Sequence, residues 1–157
     1  MHVAATAQTE IRRPVAEVFD RLVATRSLPE LCLPYGPLAG IVDARIEGDA
    51  TLAAGVRRVV TMSDGAVLVE DVLELERPQT HAYRWTGGLR LPASLLVRSG
   101  EGRWAFSESD GVTTVQWRYR LELTSPLAYP VALLLVRLFD RWMQRALDRG
   151  RAALEGA

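Results

Sequence analysis

Two charged residues near the middle of the chain are the first candidates for chemistry. The stretch GVRRVVTMSDGAVLVEDVLELE has two alternating runs joined by Asp64-Gly65, a pair typical of a two-residue hairpin turn. That turn pairs Arg58 with Asp71 on the mostly apolar face of the hairpin. Because an isolated buried charge is very costly, we predict an inward ion pair. The pair would either anchor a carboxylate, carbonyl or hydroxyl group of a ligand or stabilise the sheet alone.

This prediction depends on the register of the two strands. The opposite face of the same hairpin carries Arg57, Glu70, Glu74 and Glu76. Since successive side chains of a strand point to opposite faces, a slip of one residue would bring Arg57 and Glu70 inside instead. The identity of the inward charges is therefore decided by the length of the turn.

Asp71, Glu108 and His81 are the candidates for moving a proton. Glu108 lies beside a second hairpin turn and faces inward by register, where it would meet a ligand at the end of a cavity or remain in solvent. His81, near the start of a predicted strand, is more typical of a surface or hydrogen-bonded histidine than of a general base. No residue pattern indicates an activated nucleophile, so binding and catalysis both stay open.

The second hairpin places most of its large side chains on one face. In GRWAFSESDGVTTVQWRYRLEL, residues 102–123, an Asp110-Gly111 turn predicts pairs such as Trp104 with Trp117. The strand THAYRWTG adds two aromatic residues that share a face with His81. This aromatic face is buried, either as solid core or as the lining of a cavity. The candidate lining residues of these strands are Tyr83, Trp85, Trp104, Phe106, Trp117 and Tyr119.

A long C-terminal helix is predicted to pack against that face. Ser125 and Pro126 are typical of a helix N-cap and first turn, and the apolar pattern continues to about Leu154. We expect Leu135, Leu138 and Trp142 of this helix to contact a ligand. The predicted apolar stripe consists of Leu127, Val131, Leu134, Leu135, Leu138, Trp142, Ala146 and Leu147.

The same helix has an arginine at every fourth position, namely Arg137, Arg141, Arg145 and Arg149. Such a stripe could bind anionic lipids. Asp140 and Asp148 lie within three residues of neighbouring arginines, however, so we favour a solvated face whose charges pair with one another.

The composition argues against several kinds of function. Among the 157 residues, 19 basic and 19 acidic side chains balance, which argues against nucleic acid as a partner. Every basic residue is an arginine, so no lysine is available for a Schiff base or a phosphate-binding loop. Cys32 is the only cysteine, and no Cys and His spacing indicates a metal site. We expect no disulfide, no metal and no cofactor.

We expect a single cytoplasmic domain spanning residues 1–157. The N-terminus lacks the basic and apolar regions of a signal peptide, and the apolar run PVALLLV is far shorter than the roughly 20 residues of a membrane span. A hydrophobic content of 48% is enough for a sizeable core. The apolar segment 131–136 would suit a homodimer contact, so a monomer and a homodimer both stay open.

The order of predicted elements indicates an α+β fold. HVAATAQTEI is predicted as a strand, RRPVAEVFDRLVAT as a helix, and RSLPELCLPYGPL as a short helical turn and loop. The strand GIVDARIEG, the first hairpin, THAYRWTG and the second hairpin follow before the long helix. This order is typical of a curved antiparallel sheet that wraps around one helix.

Three segments resemble the START-like (SRPBCC) superfamily, most closely its bacterial polyketide cyclase/dehydrase branch. They are IRRPVAEVFDRL, DGAVLVEDVLELERPQTHAYRW and DGVTTVQWRYRLEL, in the order and spacing of that superfamily. The resemblance implies the helix-grip fold, with six or seven antiparallel strands around the C-terminal helix and two short helices between strands one and two. It also implies a deep apolar cavity, which relatives use for lipids, sterols, quinones, plant hormones or polyketides. It carries over no universal catalytic residue.

Three functions follow as hypotheses. The leading one is a protein that binds a small apolar or aromatic ligand, such as a lipid, polyketide or quinone, between the sheet and the helix. The alternative is a polyketide cyclase or dehydratase in which Asp71, Glu108 or His81 moves a proton while Arg58 or a tyrosine stabilises an enolate. A co-chaperone-like interaction module with a filled cavity is the third.

Overall fold

Alternating sequence patterns build a seven-stranded antiparallel sheet in the computed structural model, which describes residues 1–156. The spatial order of the strands is β1-β7-β6-β5-β4-β3-β2. Nearly every strand has one buried and one exposed face, as expected for a sheet covered on one side only. The strands are β1 (His2–Ile11), β2 (Ile41–Ile46), β3 (Arg57–Met62), β4 (Val67–Glu76), β5 (Thr80–Thr86), β6 (Val97–Ser109) and β7 (Val112–Leu123).

Among residues 1–156, three α-helices complete the fold. Two short ones, α1 (Val15–Val23) and α2 (Leu28–Leu31), lie between β1 and β2. The third, α3 (Tyr129–Glu155), follows a short 3-10 turn in which the Ser125 hydroxyl oxygen accepts the Leu127 N–H at 3.0 Å. The curved sheet holding a long C-terminal helix confirms the predicted helix-grip fold.

The aromatic hairpin of β6 and β7 has the predicted register. Trp104 pairs with Trp117, and Gly102 pairs with Tyr119. Asp110 and Gly111 both have positive φ angles, 52° and 76°, as a type I′ turn requires. The two-residue turn therefore fixes the pairing, and the sequence prediction is confirmed for this hairpin.

The hairpin of β3 and β4 has a different register from the predicted one. Its loop contains three residues, because the Met62 N–H donates to the Ala66 carbonyl at 2.8 Å, and Gly65 has a φ of 88°. The Asp64 carboxylate accepts the Ala66 N–H at 2.9 Å and holds this longer loop. Three-residue loops of this kind are the next common class after two-residue turns. The extra loop residue shifts β4 by one position.

The shift changes which carboxylate of β4 faces inward. Arg58 faces inward as expected, but its partner is Glu70, while Asp71 pairs with Arg57 on the outer face. The prediction of an inward Asp71 was therefore wrong. The alternative of an inward Arg57 with Glu70 was right for Glu70 but wrong for Arg57, since only β4 changes face relative to the predicted register.

Helix α3 lies along the edge strand β1 and buries both small and large residues. Asp140 accepts the Thr6 N–H at 2.8 Å, and the Gln144 side chain accepts the Gln8 N–H at 3.2 Å. The buried side agrees with the predicted stripe at Trp142, Ala146 and Leu147 but differs from it toward the N-terminus of the helix. Its buried residues are Ala132, Val136, Trp142, Met143, Ala146, Leu147, Gly150 and Leu154, whereas Leu127, Val131 and Leu134 are exposed.

The arginines of α3 do not pair with its aspartates. Asp140 faces β1, and Asp148 accepts a hydrogen bond from Gln144. Arg145 stacks on the Tyr35 ring at 4.8 Å, and Arg149 donates to the Leu31 carbonyl at 2.8 Å. The expected self-paired face was therefore wrong.

Candidate functional site

A mostly apolar cavity of about 170 Å³ lies between the sheet and α3. Strands β3, β4, β5 and β7 form one wall, and the N-terminal half of α3 forms the other. Trp142 closes part of the helix side, and its indole N–H donates to the Ala39 carbonyl at 3.1 Å. Of the residues predicted as lining, the cavity wall contains Arg58, Tyr83, Trp85, Trp117, Tyr119, Leu135 and Trp142.

Other predicted lining residues lie behind or beside this wall. Trp104 stacks on Trp117 with ring centroids 4.4 Å apart. Phe106 packs edge-on against Phe19 of α1 at 5.0 Å. Leu138 is half-buried on α3 and does not line the cavity. Trp104 and Phe106 therefore belong to the hydrophobic core that supports the wall, whereas Leu138 lies outside it.

None of the three predicted proton-transfer residues lines the cavity. Asp71 is exposed on the outer face beside Arg57. Glu108 is exposed at the end of β6, where its carboxylate accepts the Val15 N–H at 2.6 Å and caps the start of α1. His81 is buried, with Nδ1 3.3 Å from the Glu74 carbonyl oxygen. Burial, helped by the nearby Arg58 charge, lowers the pKa of His81 to about 3.

The polar centre of the cavity is a buried ion pair that joins β3 and β4. Arg58 Nη2 lies 2.7 Å and Nε 2.8 Å from Glu70 Oε1, and the two side chains are 2% and 7% exposed. Burial disfavours the guanidinium charge, but the Glu70 carboxylate outweighs it and leaves the pKa of Arg58 raised. The Arg58 Cζ also lies 5.3 Å from the centroid of the Tyr83 ring. The arginine therefore stays charged at the cavity wall.

One end of this guanidinium has no partner among residues 1–156. Nη1 of Arg58 is buried and makes no hydrogen bond. Buried polar groups in folded proteins almost always have partners, so an unused donor on a cavity wall is unusual. An oxygen atom of a bound molecule would satisfy it.

Two buried tyrosines extend the polar centre. The Trp85 indole N–H donates to the Tyr119 hydroxyl oxygen. Burial raises the pKa of Tyr83, with a further contribution from the Glu70 carboxylate. Burial and the neighbouring Tyr83 likewise raise the pKa of Tyr119. Both hydroxyls therefore remain protonated and can act as hydrogen-bond donors.

Two glycines of β6 make room for the aromatic wall. A Cβ atom at Gly100 would collide with the Trp85 ring, and one at Gly102 would collide with the Tyr83 ring. Glycine inside a strand often marks such a close approach. The spacing of these glycines in SGEG, residues 99–102, is the signal that could have predicted this arrangement.

The wall also contains residues outside the predicted lining, among them Glu70, Phe139 and Cys32. Glu70 would have been found by assuming a three-residue loop at Gly65. To predict Phe139 as a wall residue, one would need to know how α3 is rotated about its own axis, which depends on how the helix packs on the sheet. Burial raises the pKa of the Cys32 thiol to about 12, so this sulfur is a thiol and a poor nucleophile. Within residues 1–156, no His, Cys, Asp or Glu cluster has a metal-binding arrangement.

A curved sheet around a long helix, with a charged pair on the wall of an apolar cavity, defines a helix-grip protein with an internal cavity. The chain belongs to the polyketide cyclase / dehydrase and lipid transport family, whose model matches residues 2–155. This match confirms the START-like resemblance found in the sequence.

Solved structures share the fold at low sequence identity. Ara h 8.0201 is 11% identical with a TM-score of 0.72, and the match covers 100% of both chains. A protein from Thermus thermophilus is 16% identical with a TM-score of 0.73, over 98% of each chain. The di-domain ARO/CYC BexL from the BE-7585A biosynthetic pathway is 18% identical with a TM-score of 0.69, over 98% of this chain and 50% of BexL. No curated protein matches the chain by sequence.

Proposed function

We propose that this protein binds a small apolar or aromatic ligand in the cavity, with an oxygen atom of the ligand on Arg58. The observation that carries the proposal is the unpartnered Nη1 of a buried arginine on an apolar wall. Hydrogen bonds to charged groups are the stronger ones, so a carboxylate, phenolate or carbonyl oxygen would bind there best. The protonated hydroxyls of Tyr83 and Tyr119 provide further donors on the same wall.

The cavity volume limits the size of the enclosed part of the ligand. At about 170 Å³ it is close to the roughly 150 Å³ of an engineered cavity that binds benzene. One or two rings therefore fit inside. A longer chain would extend through the opening, where Arg90 and Asp64 line the cavity. A ring system with one oxygen-bearing group is the ligand class that this arrangement favours.

The test uses the two ion pairs that lie side by side on the same hairpin. The inner variant Arg58→Met/Glu70→Gln removes the buried pair, and the outer variant Arg57→Met/Asp71→Asn is its matched control. We expect the inner variant to weaken binding of β-naphthoic acid by about tenfold or more, because one charge-assisted hydrogen bond is lost. Binding is measured by displacement of phenylnaphthylamine, a neutral fluorescent dye.

The neutral analogue β-methylnaphthalene separates polar anchoring from apolar burial. Its affinity should be equal in the wild type and in both variants, since it has no oxygen for Arg58. Two results would overturn the proposal: a folded wild type that binds neither compound, or an inner variant that binds the acid as tightly as the wild type.

A cyclase or dehydratase activity is a second candidate, favoured by the presence of Glu70 on the wall. An enolate oxygen would be stabilised by Arg58 and the tyrosines, while Glu70 takes the proton. Glu70→Gln keeps an acceptor for Arg58 but removes the base and the buried counter-charge, so its folding is verified by circular dichroism before exchange is measured. It should abolish any enzyme-catalysed exchange of the acidic protons of benzoylacetone with deuterated water, followed by NMR, whereas Asp71→Asn should not. Wild-type exchange at the buffer rate would eliminate this candidate and leave the binding function untouched.

A further inference from the structure

The surface beside the loop before β6 and the start of α3, two segments that also contribute residues to the cavity wall, is unusually apolar. Five large apolar residues are 54% to 91% exposed there: Leu91, Leu95, Leu127, Val131 and Leu134. We call them the apolar rim. Single exposed apolar residues are ordinary on a protein surface, but a group of them at one place indicates an interaction site.

Hydrogen bonds bring the two segments of the apolar rim together. The Thr124 N–H donates to the Leu96 carbonyl at 3.0 Å, and its hydroxyl donates to the Leu95 carbonyl at 2.6 Å. The loop before β6 is thereby attached to the start of the α3 region. The two segments also meet at the cavity, because Leu89 of the loop and Leu135 of α3 both line it.

The two segments that form the apolar rim carry charges of one sign, although the acidic Asp64 of the β3–β4 loop also lines the cavity. Residues 87–97 and 124–139 contain Arg90 and Arg137 and no acidic residue. At 100° per residue, Arg137 and Arg141 lie beside Leu134 on the outer side of α3. Within residues 1–156, both of these exposed arginines are free of ion pairs. Asp140 is turned toward β1 and cannot neutralise them.

We propose that the apolar rim docks on a bilayer containing anionic lipids. Its leucines would enter the headgroup region while the arginines contact phosphate groups, as in amphipathic interfacial helices. A second copy of the chain fits this surface less well, because a twofold contact would place the same arginines opposite each other. Docking here would bring the cavity opening to the membrane surface. This inference goes beyond ligand binding in the cavity, and no cavity ligand is needed to test it.

The experiment is flotation of the full chain with vesicles of phosphatidylcholine, with and without phosphatidylglycerol. The wild type should bind the anionic vesicles about tenfold more tightly than the neutral ones, and high salt should weaken this binding. Leu127→Gln/Leu134→Gln should reduce binding by about tenfold or more, since two apolar side chains lose their burial. Arg137→Gln/Arg141→Gln should remove the preference for phosphatidylglycerol.

The control variants change exposed residues of the sheet, away from the apolar rim. Val42→Gln removes an exposed apolar residue of β2, and Arg45→Gln/Arg84→Gln removes two exposed arginines. Neither should change vesicle binding. The proposal is overturned if the folded wild type fails to bind anionic vesicles at low salt, or if the rim variants bind like the wild type. A concentration-dependent dimer that the rim variants dissociate, with no vesicle binding, would assign this surface to a second copy instead.

Discussion

Arg58 and Arg57 differ in function because of their position, not their chemistry. Both are arginines paired with a carboxylate of the adjacent strand. The outer pair is exposed, and such pairs contribute about 0 to 1 kcal/mol. In the inner pair, losing one partner would leave a buried charge alone, at a cost of about 3 to 5 kcal/mol. This asymmetry is why the binding test replaces both members of the inner pair.

His81 should make the protein sensitive to mild acid. Its pKa in the folded protein is about 3, against an ordinary value of 6.5. Below pH 6.5 the unfolded chain therefore takes up a proton that the folded protein does not, and stability falls until the pH reaches about 3. The slope is about 1.4 kcal/mol per pH unit. Between pH 7 and pH 5, this group should cost about 2 kcal/mol of unfolding free energy, measured by urea denaturation.

His81→Gln should remove most of that dependence. His2→Gln is the control, because His2 is exposed at the start of β1 and its replacement should leave the acid dependence as it is. An unchanged dependence in His81→Gln would mean that His81 takes up its proton in the folded protein as readily as in the unfolded chain.

At the level of the elements, β6 determines how the aromatic wall is placed. Gly100 and Gly102 let the Trp85 and Tyr83 rings lie against the strand, so the cavity shape depends on the absence of side chains. The neighbouring strand β7 contributes the large residues of the same wall, Trp117 and Tyr119. An alternation of glycine on one strand with aromatic residues on its neighbours is therefore a signature of the site.

Gly102→Ala should destabilise the protein and weaken ligand binding together. The added methyl group collides with the Tyr83 ring, and overpacking of this kind costs about 1 to 3 kcal/mol. Displacement of Tyr83 should also lower the affinity for β-naphthoic acid. Glu101→Ala, on the exposed face of the same strand, should change thermal stability by less than about 0.5 kcal/mol. Equal melting temperatures for Gly102→Ala and the wild type would contradict the close contact.

For the whole molecule, the fold is more predictable than the cavity. The alternating strands, the Asp110-Gly111 turn and the Ser125 cap are local signals, and the structure contains each of them. The cavity depends on nonlocal packing, namely the length of the loop at Gly65 and the rotation of α3 on β1. The predicted stripe placed Leu127 and Leu134 inward, whereas both are exposed in the structure. Within residues 1–156, no helix is long and apolar enough to cross a bilayer.

The charged doublets of the first hairpin make its buried centre tolerant of a one-residue slip in register. Arg57-Arg58 on one strand face Glu70-Asp71 on the other. If the loop tightened to the two-residue Asp64-Gly65 turn, with Ser63 opposite Ala66, Arg58 would lie opposite Asp71 in place of Glu70. A carboxylate would still meet the arginine, on a side chain shorter by one methylene group. A slip that would leave a lone charge buried in most hairpins would here exchange one compensated pair for another.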